Sequence, residues 1–159
     1  MRSRLVVRTM LAGAIIAIPG STALGAQDSS TNIGARVGYN FEADELIVSA
    51  NLVVPMTSRV DFYPSVDIYR PQKGNKIGFN GDVKIRFPKL GQFFYGGFGA
   101  GVISRTVGAD SSHTEIGGNL LLGLQARIGW FHPFAEGRAV FRDKAQLQAM
   151  GGFNISRGP

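Results

Sequence analysis

From Asn32 to Ile155 apolar and polar residues alternate with a period of two, and no stretch sustains an i, i+3, i+4, i+7 apolar pattern. Successive side chains of a strand point to opposite faces, so the alternation predicts half-buried strands and excludes a helical bundle. The pattern divides into eight stretches. Asn32–Phe41 sets Ile33, Ala35, Val37, Tyr39 and Phe41 against Gly34, Arg36 and Gly38. Glu45–Val54 sets Leu46, Val48, Ala50, Leu52 and Val54 against Ser49 and Asn51. The third has Val60, Phe62, Val66 and Ile68 opposite Asp61, Tyr63, Ser65, Asp67 and Tyr69, and Pro64 on its apolar side predicts a bulge. The fourth has Ile77, Phe79, Val83, Ile85 and Phe87 opposite Lys76, Asn80, Asp82, Lys84 and Arg86.

The fifth, Gln92–Ser104, is glycine-rich: Phe94, Phe98, Ala100 and Val102 oppose Gly97, Gly99 and Gly101. The sixth sets Ile116, Leu120, Leu122, Leu124, Ala126 and Ile128 against Glu115, Asn119, Gln125 and Arg127. The seventh sets Ala135, Ala139 and Phe141 against Glu136, Arg138 and Arg142. The eighth sets Leu147, Ala149, Phe153 and Ile155 against Gln148, Met150 and Asn154. Turns are expected at Glu42–Asp44, Pro55–Ser58, Arg70–Asn75, Pro88–Gly91, Gly129–Phe131 and Arg142–Lys144. The longest polar connection is Arg105–His113. Eight antiparallel strands in sequence with one apolar face close most naturally into an up-and-down barrel, because closure removes the edges. A two-sheet sandwich is the alternative.

Alternation alone does not say which face is outside. A soluble lipocalin-like periplasmic carrier would hold its apolar face inward around a ligand; a transmembrane β-barrel turns it out to lipid. The apolar face carries no charge on any stretch, and the polar face is crowded with glycine, which weakens a solvated strand but makes room inside a narrow lumen. Mid-strand charges on the polar face nearly balance. The acids Asp61, Asp67, Asp82, Glu115 and Glu136 stand against the bases Arg36, Lys84, Arg86, Arg127 and Arg138, which predicts a paired lumen charge network. Stretches of nine to eleven residues suit a tilted membrane strand, and aromatics gather near their ends, as at the two lipid interfaces. The expected fold is all-β, an eight-stranded antiparallel up-and-down transmembrane β-barrel.

Residues 1–26 read as a cleaved export signal. Arg2, Arg4 and Arg8 precede the apolar run Met10–Ile18, and the small residues of Ser21–Ala26 follow Pro19-Gly20. The run is too short to span a bilayer as a helix. Without that segment the seventeen bases become fourteen against eleven acids, leaving a net charge of +3 on the barrel domain, residues 27–159. No Lys/Arg run remains to recommend nucleic acid as a partner. With no Cys and two His, no cysteine-ligated or His-rich metal site is expected, and no cofactor.

With the leader, the eight stretches, their faces and the late Gly151-Gly-Phe-Asn-Ile155 strand, the chain resembles the small eight-stranded outer-membrane barrels, the OmpA transmembrane domain and OmpX-like group, over about residues 32–155. One departure is that such barrels usually end on an aromatic residue, whereas here six residues follow Phe153. The resemblance implies a bacterial outer-membrane location, with outer-membrane lipid and, during biogenesis, the barrel-assembly machinery as partners. It also implies periplasmic termini and a surface connection at Arg105–His113 where a partner would dock. The function expected is a non-enzymatic outer-membrane barrel with a plugged polar lumen, structural or surface-interacting. The alternatives are a narrow pore for ions or small solutes, a lipid-modifying hydrolase and the soluble carrier. Ser111-Ser-His-Thr-Glu115 holds nucleophile, base and acid types together, but Ser112 points away from the face His113 and Glu115 share and no G-x-S-x-G motif is present, so no catalytic residue is expected.

Overall fold

A computed structural model describes residues 30–71, 75–87, 94–107 and 111–156. The strands are β1 (Asn32–Asn40), β2 (Glu45–Pro55), β3 (Val60–Arg70), β4 (Asn75–Arg86), β5 (Phe94–Val107), β6 (Ser111–Gln125), β7 (Phe131–Phe141) and β8 (Ala145–Ser156). Each pairs antiparallel with its neighbours in sequence, and β1 pairs with β8, so the sheet closes into a barrel rather than a sandwich. The predicted leader and the Pro88–Gly91 turn lie outside the described residues.

Register fixes the barrel's shape. From Ala35 the ladder steps through Ala50, Val66, Phe79, Val102 and Ile116. Continued at the offsets of the last three pairings, it returns to β1 at the level of residue 45, a shear of ten residues. Eight strands so staggered tilt by roughly 35–45°, and ten residues at that tilt climb about 25 Å, the height of an apolar membrane band. The start of β1 and the end of β8 share one mouth, where Asn32 pairs with Ser156; we call it the terminal mouth and the other the distal mouth.

Faces follow the alternation. Leu122, Ile33 and Phe41 are among the outward apolar side chains, 65%, 65% and 61% exposed, while Arg36, Asp67, Asp82 and Arg138 are buried inside. Lumen glycines make the room expected of them: a Cβ on Gly99 would strike the Asp82 carboxylate, and one on Gly123 the Tyr95 ring. Two of the described turns are tight. Thr57 Oγ1 accepts from the Arg59 and Val60 N–H groups at 3.2 and 3.1 Å. Ile128 and Phe131 exchange both backbone bonds around Gly129, whose φ of 61° suits glycine.

Two expectations are corrected. Pro64 makes no bulge. It pairs with Gly81 on β4, and although the β2–β3 ladder lapses between Asn51↔Ser65 and Val54↔Phe62, the offset is the same on both sides of the gap. Lacking an N–H, proline removes a bond without adding a residue. Nor is Arg105–His113 a loop, because Arg105, Thr106 and Val107 of β5 pair with His113, Ser112 and Ser111 of β6. At 14 and 15 residues these two strands outrun the others, which have 9 to 12. β6 meets β7 only from Gly118↔Phe141 onward, so Ser111–Gly117 has no β7 partner. Outward residues there turn from Val102 and Ile116 to Ser104, Thr106 and Thr114, as befits wall that has left an apolar band.

Candidate functional site

The centre of the lumen is a cluster built around Glu136 on β7. One of its oxygens lies 3.1 Å from Arg36 Nη1 and 3.4 Å from Arg138 Nη2. The other lies 3.1 Å from Lys84 Nζ and accepts from the Tyr95 hydroxyl at 2.8 Å. Each arginine also has a carboxylate of its own, Asp67 at 3.0 Å for Arg36 and Asp82 at 2.7 Å for Arg138. Asn80 donates to Asp67 at 2.7 Å and Asn119 to Asp82 at 2.9 Å. Arg36 donates further to Ser65 and Tyr63. Lys84 Nζ lies against three rings, with centroids at 3.2 Å for Tyr63, 4.2 Å for Tyr95 and 5.2 Å for Phe134. Three bases thus meet three acids from β1, β3, β4 and β7, with neutral groups taking the remaining oxygens. Every carboxylate oxygen of the cluster has a partner, which lowers the cost of burying these charges, whereas Arg36 Nε and Arg138 Nε and Nη1 are buried with no hydrogen-bond partner among the described residues.

Of the ten residues expected on the lumen face, the structure gathers six: Arg36, Asp67, Asp82, Lys84, Glu136 and Arg138. Asp61 and Arg86 form a separate pair at 2.6 Å, nearer the terminal mouth. Asp61 and Lys84 are directly opposite in register, yet Lys84 reaches instead to Glu136. Glu115 and Arg127 do not join. Among the described residues Glu115 has one ion-pair neighbour, His113 at 3.7 Å on an exposed stretch, and Arg127 is exposed beyond the end of β6. Sequence reading missed Lys76–Glu45, a 2.6 Å pair near the distal mouth. Lys76 is on the polar face that alternation assigns it, but alternation gives no face to Glu45, the first residue of β2, so the pair had no visible partner.

Between that pair and the central cluster lies an apolar layer of Ile47, Tyr69, Ile103 and Met150, all buried in mutual contact. Charge balance also changes along the axis. At the distal mouth Arg70, Lys76, Arg105, Arg142 and Lys144 are matched by Glu42, Asp44, Glu45, Glu115 and Asp143. At the terminal mouth Arg59, Arg86 and Arg127 face one described acid, Asp61. Among the described residues no group of three or more His, Asp or Glu is placed to hold a metal ion.

No protein-family model matches the sequence, and a search of curated proteins returns no match. Solved structures do match. The N-terminal β-barrel domain of Pseudomonas aeruginosa OprF superposes with a TM-score of 0.69 at 17% identity, covering 82% of this chain and 98% of that one. Neisserial surface protein A gives 0.55 at 13%, covering 80% and 95%. A designed transmembrane β-barrel gives 0.56 at 11%, covering 84% and 100%. At such identities the likeness is one of fold: the chain folds as the small eight-stranded outer-membrane barrels do.

Proposed function

We propose that this chain is an integral outer-membrane barrel whose lumen is closed by its own side chains, and that it serves the envelope as a structural or surface-interacting element rather than as an enzyme. The observation that carries the reading is the inverted polarity of the wall. A neutral cluster of six charged side chains is buried inside, while Leu120, Leu122 and Phe98 stand 53%, 65% and 55% exposed outside. Such a surface is stable against lipid and unstable against water, which counts against the soluble carrier. The start of β1 and the end of β8 at one mouth, together with the export leader expected from the sequence, favour a periplasmic terminal mouth.

Closure rests on size and content. An eight-strand interior is just wide enough for side chains to fill, and here Arg36, Tyr63, Lys84 and Arg138 cross it at one level beneath the apolar layer. Two measurements test the reading. Membrane fractionation should leave the protein in the outer membrane; recovery from the soluble periplasm would refute the location. Planar-bilayer recording of the refolded protein should be silent or show rare small events, whereas steady large-conductance openings would refute the closed lumen in favour of a pore.

A further inference from the structure

The terminal mouth is the one level at which the barrel's described charges do not cancel, and we propose that it is a binding site for phosphate-bearing anions. Asp61 is the single described acid there, and one of its oxygens is already taken by Arg86 Nη2 at 2.6 Å. Arg59 and Arg127, both exposed, have no ion-pair partner among the described residues. The three arginines share one rim. The Arg86 N–H donates to the Arg59 carbonyl at 2.8 Å, which sets those two side by side. The Ala126 N–H donates to the Pro133 carbonyl at 2.9 Å, so the β6–β7 ladder runs past the end of β6, and Arg127 keeps the lumen side taken by Gly123 and Gln125.

Residue type narrows the ligand. Lysine serves at the other levels, as Lys84 in the central cluster and as Lys76 and Lys144 at the distal mouth, but every described base of this rim is arginine. The guanidinium is a planar fork that grips a tetrahedral oxyanion through two parallel N–H bonds, which an ammonium cannot do. Low-dielectric walls around a mouth of one sign concentrate anions there. The phosphate has two sources. It could be free in solution, or it could belong to lipid headgroups around the rim, where exposed Phe94 and Trp130 mark the interface.

The test is a titration of the refolded full chain with inorganic phosphate in zwitterionic detergent, at constant ionic strength against chloride, read from arginine Nε–H resonances. Wild type should saturate. The double variant Arg59→Gln, Arg127→Gln should weaken binding at least tenfold, while Arg70→Gln, Arg105→Gln, with the same charge loss at the distal mouth, should stay within twofold of wild type. If the first double variant fails to fold, the single variants should each weaken binding about threefold. Nanodiscs separate the sources. If headgroups are the ligand, phosphatidylglycerol in place of phosphatidylcholine will weaken phosphate binding at least fivefold, and native mass spectrometry will find phosphatidylglycerol retained by wild type but not by Arg59→Gln, Arg127→Gln. If free phosphate is the ligand, its affinity will be the same in both discs with no lipid retained. Absence of saturation in detergent and of lipid retention, or equal losses in the two double variants, would overturn the proposal.

Discussion

Replacing Glu136 with Gln removes the one carboxylate that Arg36, Lys84 and Arg138 share. Arg36 keeps Asp67 at 3.0 Å and Arg138 keeps Asp82 at 2.7 Å. Lys84 keeps no carboxylate: its side chain is 3% exposed and Glu136 is its ion-pair partner. The cluster passes from neutral to one uncompensated positive charge among rings. Breaking a buried pair in this way costs about 3–5 kcal/mol, because the orphaned ion has lost its water and gained nothing. Equilibrium urea unfolding in lipid vesicles measures it, with fluorescence from Trp130, the one tryptophan, 62% exposed at the terminal rim. Adding Lys84→Met removes the orphan and should recover most of the loss, giving a coupling of about 2 kcal/mol or more in the double-mutant cycle. A loss under about 1 kcal/mol with additive variants is how solvated surface pairs behave; it would falsify the dry cluster and with it the closed lumen.

Four further outcomes follow from the same geometry. In double-mutant cycles Asp61→Asn should couple to Arg86→Gln by up to about 1 kcal/mol, since Arg86 is 30% exposed, and to Lys84→Met by less, although Lys84 is the residue directly opposite. Leu122→Arg, at mid-wall, should destabilise the vesicle-bound barrel by about 2–4 kcal/mol, whereas Thr114→Arg, beyond the apolar band, should cost roughly 0–1 kcal/mol. Gly99→Val should cost about 1–3 kcal/mol, because its Cβ meets Asp82, and Gly118→Ala should be tolerated, the nearest atom being 3.9 Å away; thermal unfolding ranks the two. Shortening the β5–β6 hairpin by residues 106–112 should leave the urea midpoint unchanged, since β7 does not pair with that part of β6.

Faces were legible in the sequence because burial of a strand has a period that composition records directly. Every lumen residue of the central cluster was on the side that alternation assigns it. Partners were not legible, because alternation carries no distance. Asp61 and Lys84 are neighbours on the ladder, but a lysine is long enough to cross a narrow lumen. There it finds Glu136 within a cage of rings that no local pattern encodes. The limits of the barrel were also hidden. Arg105-Thr-Val and Ser111-Ser-His-Thr look like loop because neither face is apolar, yet they are strand that has left the apolar band. Glu115 and Arg127 fell out of the network for the related reason that parity extends past the rims while confinement does not.

The balance of charge along the axis follows the supply of water. Ile47, Tyr69, Ile103 and Met150 pack together on the distal side of the central cluster, and an apolar neighbour lowers the local dielectric. That strengthens each pair in the cluster and penalises any charge left over by the same factor. Neutrality is therefore required at the level where Arg36, Lys84 and Arg138 sit. A mouth open to water carries no such requirement, since hydration and counterions offset an excess charge. The surplus of arginine at the terminal mouth stands where the physics tolerates it, and the exposed guanidiniums of Arg59 and Arg127, without a carboxylate partner among the described residues, are left for an anion that the centre could not admit. A new charge in the apolar layer makes the contrast measurable. Met150→Lys would add a cation to a residue 4% exposed, with the nearest acids already paired. It should unfold the barrel at markedly lower urea than Gln125→Lys, the same added charge on the same lumen face but near the water of the terminal mouth.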